Sequence, residues 1–221
     1  MTPEERIASG FPRSRWLRGY IRGKLKSDPV FDKGLASVAA QTGRIIDLGC
    51  GLGLFAFWLR EHGCQQPFFG CDLGKWKVEA GMRAAHQLGV QNIELHHQDM
   101  AETPLLNASA VCAFDVLHYL SFEKQGVLVR SMAAAARKGA VVLIRTGVRG
   151  LGWRSMITSV EEHWTRMTGW ISGGEANFPF LEDLVLAFEK EGCSVKAEPL
   201  WGRTPFSSHW FEIKASPTSA D

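Results

Sequence analysis

The chain has 221 residues and a mass of 24.5 kDa, which suits one compact domain and cramps two. Apolar residues make up 45% and charged residues 22%, near the soluble globular average, so a disordered or collagen-like chain is excluded. The net charge of +2 hides an asymmetry: residues 1–27 hold seven basic groups against Glu4 and Glu5, a balance of +5, and the rest balances at −3. A basic patch confined to one end argues against a nucleic-acid binder, whose basic surface is broader. It fits one local anionic contact, or an ordinary solvated helix.

No run of ~18 uncharged apolar residues is present to span a membrane. Met1 to Ile7 carry acids and a proline where a secretory leader would be apolar. The five cysteines, Cys50, Cys64, Cys71, Cys112 and Cys193, are odd in number and form no C-x-x-C pair. A disulfide scaffold and a zinc knuckle are therefore not expected, and reduced thiols in a cytoplasmic protein are. No cluster with metal-ligand spacing stands out.

In chain order, Trp16, Leu17, Tyr20, Ile21 and Leu25 recur at helical spacing and predict a basic amphipathic helix over Arg13–Lys26, stopped by Asp28-Pro29. A second helix is predicted over Phe31–Gln41. Residues 1–42 form a helical preface, part of a cap. The main domain runs over 43–214, and 215–221 is a frayed tail.

Within it, strands are predicted at Arg44–Leu48, Pro67–Asp72, Asn92–His97, Ala110–Phe114 and Ala140–Arg145. Helices alternate with them at Leu54–His62, Lys75–Leu88 and Phe122–Arg137. A segment rich in glycine and tryptophan, about 148–178, reads as a cap insertion. A helix at Leu181–Glu191 and two β-like runs, Ser194–Trp201 and His209–Lys214, complete the chain. The expected fold is α/β and Rossmann-like: a mostly parallel, seven-stranded sheet with helices on both faces and a helical cap.

The chemistry concentrates at strand ends. Asp47-Leu48-Gly49-Cys50-Gly51-Leu52-Gly53 joins a strand to a helix, and its glycines let a ligand approach the backbone. Asp72 ends the next strand, where an acid can accept hydrogen bonds from a ribose. Asp99 and Asp115 fall at or just beyond later strand ends, so the four acids converge in the crevice of an open α/β sheet.

The turn alone is a weak signal, because Gly51-x-Gly53-x-x-Ala56 also fits a dinucleotide fingerprint. Asp47 would repel a pyrophosphate but not a sulfonium amino acid. A reductase would also want a Tyr-x-x-x-Lys pair. Tyr20 and Lys24 have that spacing but precede the sheet on the basic helix, which places them away from hydride chemistry.

Residues 44–147 resemble the core of class I S-adenosylmethionine-dependent methyltransferases. Ile45 to Gly53 resembles that family's first motif, and Asp72 matches the acid that holds the ribose hydroxyls. Gln98-Asp99-Met100 resembles the third-strand motif that meets the adenine. Phe114 to Leu120 resembles the fourth-strand motif beside methionine and acceptor. Arg137-Lys138-Gly139-Ala140 matches the usual Pro-Gly-Gly turn poorly.

The resemblance implies S-adenosylmethionine as cofactor, S-adenosylhomocysteine as product, and no metal. It implies cofactor contacts from Asp47, Gly49, Cys50, Gly51, Gly53, Asp72, Leu73, Asp99, Met100 and Asp115. Tyr20, Arg13 and Arg22 on the N-terminal helix are candidates to close over the cofactor's carboxylate; the alternative is a solvated basic helix with an apolar packing face. Segments Phe11–Tyr20 and Pro199–Phe206 look like those of the small methyltransferases of bacterial aryl polyene pigment pathways. That similarity implies an aromatic, phenolic or acyl acceptor, which an acyl carrier protein could present.

His118 is the first candidate for a catalytic base, because it follows the fourth strand and histidine as a residue type suits proton transfer near neutral pH; the alternative is that it packs or hydrogen-bonds against the cofactor without moving a proton. Tyr119, Trp153, Trp164 and Trp170 are candidate acceptor walls, or core residues. The basic N-terminal helix could dock on an acidic carrier protein through Arg15, Arg18 and Lys24, or make weak peripheral contact with anionic lipid. A nicotinamide-dependent reductase and a non-catalytic cofactor-binding partner are the rival readings.

Overall fold

The structure is a computed structural model, and it describes residues 1–149, 176–201 and 207–217. Among them the strands are β1 (Arg44–Leu48), β2 (Phe68–Asp72), β3 (Ile93–His97), β4 (Ala108–Phe114), β5 (Val141–Gly147), β6 (Cys193–Pro199) and β7 (Ser208–Ala215). They form one sheet in the order β3-β2-β1-β4-β5-β7-β6. The first five are parallel, and β7 inserts antiparallel to both β5 and β6. The sheet is therefore mixed: a parallel body with an antiparallel edge built from the two late runs. The strands are added outward from β1 in one direction up to β3 and in the other from β4 on, and that switch in order opens a crevice at the carboxyl ends of β1 and β4.

Helices cover both faces: α1 (Pro3–Ser9), α2 (Arg15–Ser27), α3 (Val30–Val38), α4 (Leu54–Glu61), α5 (Lys75–Leu88), α6 (Phe122–Arg137) and α7 (Leu181–Lys190). Alternation along the strands divides the core. Ile45, Ala110, Cys112, Val141 and Leu143 face α1 to α5, whereas Ile46, Leu48, Val111, Val142 and Ile144 face α6 and α7. All seven residues of β5 are buried, as expected for a strand covered on both sides.

The N-terminal helices are part of this core. Ile7, Phe11, Leu17, Ile21 and Leu25 are buried in the same cluster as α4 and α5. Helix α1, which hydrophobic spacing does not reveal, starts from a capping box in which the Thr2 hydroxyl accepts from Glu5 N and the Glu5 carboxylate accepts from Thr2 N. Ser14 caps α2 by accepting from Leu17 N. Trp16 departs from the expected apolar face: it is 63% exposed and stacks on Tyr20, with ring centroids 6.1 Å apart.

Arg18 also turns inward, donating to the carbonyls of Ser9, Phe11 and Pro12. It joins α1 to α2 and is not an outward basic group. Among the described residues, no helix is long and apolar enough to cross a membrane.

Candidate active site

A cavity of about 280 Å³ lies at the carboxyl ends of β1, β2 and β4. The turn after β1 forms its floor. Gly49 N and Cys50 N both donate to Cys71 O, at 2.8 and 2.9 Å, which pins the turn to β2. Gly49 has φ +74°, and a Cβ there would stand 2.2 Å from Val116 Cγ1. Only glycine fits that closeness and that backbone. Gly53, also left-handed, opens α4.

Asp72 ties the first two strand ends together. Its Oδ2 accepts from Gly51 N at 2.9 Å and its Oδ1 from Gly74 N at 2.6 Å. Each oxygen keeps a second lone pair for a ligand hydroxyl. Asp47 sits behind the turn, 4% exposed. Burial, reinforced by the neighbouring Asp72 carboxylate, pushes its carboxyl up to about 8. Burial likewise raises the Cys50 thiol well above its ordinary value, so Cys50 serves as wall and not as a thiolate.

Most expected positions converge on this cavity. Tyr20, Asp47, Gly49, Cys50, Gly51, Asp72, Leu73, Met100, Asp115 and Tyr119 all line it. Gly53 shapes the turn from behind. Asp99 stands just outside the wall, because its Oδ1 accepts from Ala101 N at 2.9 Å and caps the turn that carries Met100; Gln98 and Met100 line the cavity in its place. His118 is also outside. It is 5% exposed, with Nδ1 3.1 Å from Thr146 Oγ1 and its ring stacked on Phe178 at 4.9 Å. Arg13 and Arg22 are exposed and away from the wall. Trp153, Trp164 and Trp170 lie outside the described residues.

Two groups of wall residues go beyond the sequence expectations. Lys24 lines the cavity beside Tyr20, so α2 folds over the crevice although it precedes the sheet in the chain. Its Nζ lies 2.9 Å from Asp28 Oδ2. Arg145, on β5, also lines the cavity. Its Nε donates to Asp115 Oδ1 at 2.9 Å and its Nη2 to Asp28 Oδ2 at 2.8 Å, with further short contacts Nη1–Asp28 and Nη2–Asp115. Burial raises the Asp28 carboxyl, but Lys24 and Arg145 outweigh it and hold the group well below the carboxylate range. The sequence signal was an arginine ending the apolar run Val141–Ile144: an arginine in a buried strand needs carboxylate partners. Phe31, Phe55 and Phe114 complete an aromatic end, with Phe55 and Phe114 edge-to-face at 5.2 Å.

A family model for the methyltransferase domain matches residues 22–198. The chain belongs to the methyltransferase-domain family. The match begins inside α2, so α1 and the first half of α2 lie outside the family's shared region.

Over 112 residues the chain is 31% identical to a carboxy-S-adenosyl-L-methionine synthase of Idiomarina loihiensis, which covers 48% of this chain and 45% of that protein. The likeness thus spans under half of the curated relative's length. The magnesium protoporphyrin IX methyltransferase of Synechocystis PCC 6803, solved with bound SAH, shares the fold at TM-score 0.66 and 20% identity, covering 96% of this chain and 93% of that one. The mitomycin 7-O-methyltransferase MmcR shares it at TM-score 0.63 and 16% identity, covering 97% and 61%. Among the described residues, no group of three or more His, Cys, Asp or Glu could hold a metal ion.

Proposed function

We propose that this methyltransferase-family protein transfers the methyl group of S-adenosylmethionine to a small aromatic, phenolic or acyl acceptor. The observation that carries the reading is the pair of carboxylates, Asp47 and Asp72, in the wall formed by the glycine turn. Asp72, with a second carboxyl that ionises opposite a positive ligand, suits a cationic nucleoside and disfavours the pyrophosphate of a nicotinamide cofactor. The reductase reading loses further ground because the Lys24 ammonium is already engaged by Asp28.

The cofactor, when bound, supplies an electrophilic methyl on sulfur, which the acceptor displaces in line. The chain's own residues bind and orient. Asp72 offers its remaining lone pairs to the ribose hydroxyls. Leu73 and Met100 supply apolar wall for the base. Asp47 faces the positive amino-acid end and is neutralised by it. Tyr20 closes over the cofactor's carboxylate, and Tyr119 and the aromatic end hold the acceptor and keep water away. His118, with its ring centroid 4.3 Å from that of Tyr119, supports that wall, and a phenolic acceptor reacts as the phenolate, its proton lost to solvent before binding.

The finer reading places the acceptor in aryl polyene biosynthesis, presented by an acyl carrier protein. Its support is the outer face of α2, where Arg15, Arg22 and Lys26 are exposed around Trp16. Leu17, Ile21 and Leu25 are buried beneath, which leaves little apolar surface for insertion into lipid. The test is transfer of a labelled methyl group to phenolic acyl thioesters, free and carrier-bound. Replacing Arg15, Arg22 and Lys26 by glutamine should weaken use of the carrier-bound acceptor alone, with reduced salt dependence. Equal loss on free and carrier-bound acceptors would refute the docking face.

A further inference from the structure

Four charged groups run from the N-terminal helices into the sheet. Lys24 lies on α2, Asp28 closes that helix, Arg145 is on β5 and Asp115 follows β4. Asp28 stands at the corner between two helices: it is the C-cap of α2, and its Oδ1 accepts from Val30 N at 3.1 Å as α3 begins. Asp115 has a left-handed backbone, φ +57°, and its N–H donates to Arg145 O at 2.8 Å. Arg145 therefore holds Asp115 through both main chain and side chain, and grips Asp28 with the other edge of its guanidinium.

The chain of charges is neutral overall. Stability alone does not explain it, because buried ion pairs are commonly matched by apolar residues of similar size. The helices do not need it to stay attached either: Leu17, Ile21, Leu25, Val30 and Phe31 are buried in the core. What the grip fixes is position. Residues 20 to 31 contribute Tyr20, Lys24, Val30 and Phe31 to the cavity wall, and Asp115 and Arg145 line the same cavity.

We propose that Arg145 is a positioning residue of the cofactor cavity: by holding Asp28 and Asp115 together, it sets the α2–α3 corner against the carboxyl end of β4. The fork matters as well as the charge, since one planar group must reach two carboxylates. The ligand used to probe it, S-adenosylhomocysteine, rests on the function proposed above; the placement of the corner does not.

The test uses the full chain and the variants Asp28→Asn, Arg145→Lys, Arg145→Met and Asp28→Asn/Arg145→Met. Hydrogen exchange over residues 15–31 is measured without ligand, and S-adenosylhomocysteine affinity by calorimetry. Asp28→Asn should melt cooperatively yet exchange faster over 15–31, with sheet protection unchanged, and bind the nucleoside about ten-fold more weakly or worse. Arg145→Lys should not restore affinity. In the Arg145→Met background, Asp28→Asn should add little, because the two act as a unit.

Wild-type exchange over 15–31 in Asp28→Asn, or additive losses in the double variant, would overturn the proposal. Should the wild type fail to bind the nucleoside while Asp28→Asn still frees residues 15–31, the positioning stands and the ligand reading falls.

Discussion

Asp47 gives the cavity a proton to lose. With its carboxyl raised to about 8, the empty site holds Asp47 neutral at pH 7. A ligand carrying ammonium and sulfonium charges favours the carboxylate, so binding must expel that proton. If the bound carboxyl returns to its ordinary range near 4, binding at pH 7 releases ~0.9 proton and is weakened about ten-fold, ~1.4 kcal/mol, relative to a fully ionised site. At pH 6 the weakening is roughly a hundred-fold and at pH 7.5 about four-fold, so affinity should rise ~25-fold between them. Above that range the ligand's own amino group, near 7.7–8, begins to titrate.

The assay is calorimetry with S-adenosylmethionine, which carries both charges, at pH 7 in phosphate and in Tris, whose ionisation enthalpies differ, followed by a pH series. Asp47→Asn should bind more weakly at pH 7.5, show no buffer-dependent heat and have flat affinity from pH 6 to 7.5. Buffer-independent heat and flat affinity in the wild type would refute the reasoning.

The same shift fixes a sign for stability. The folded state keeps the Asp47 proton where the unfolded chain gives it up, so this group's contribution falls as pH rises from about 4 to 8. Asp47→Asn should therefore raise the melting temperature of the ligand-free protein more at pH 8 than at pH 5; an equal or opposite change contradicts the burial argument. Gly49→Ala should cost ~2–4 kcal/mol from the Val116 clash and the left-handed backbone, read by denaturant unfolding, with partial recovery on Val116→Ala. His118→Gln should lose ~1–2 kcal/mol of stability by disturbing the Thr146 contact. The pH profile of kcat for an active acceptor should keep its shape, whereas loss of a limb near neutral pH would return His118 to the role of base.

Legibility from sequence followed the range of the physics. Helices α5 and α6 were readable to the residue because local features end them: left-handed Gly89 caps α5, and Lys138-Gly139 follows α6. The turn and Asp72 were readable because strand, glycines and acid stand in a fixed short order. Helix α1 was not, since seven residues carry too little periodicity; its signal was Thr2, Pro3 and Glu5, a cap in place of a stripe.

Tyr20 was expected at the cofactor and lines the cavity, but the placement of Lys24 beside it was hidden, because chain order does not say which way a preceding helix folds. The Asp28–Arg145 pair joins residues 117 apart, and only tertiary packing reveals it. Asp99 and His118 stand at the expected strand ends but outside the cavity lining, where Asp99 Oδ1 accepts from Ala101 N and His118 Nδ1 lies beside Thr146 Oγ1.

The central claim is the cofactor, and parallel titration of the protein with S-adenosylmethionine, S-adenosylhomocysteine and NADPH tests it most directly. Both sulfur nucleosides should bind at micromolar concentration, binding should be lost on Asp72→Ala, and NADPH should not bind. Binding of NADPH alone would contradict the claim.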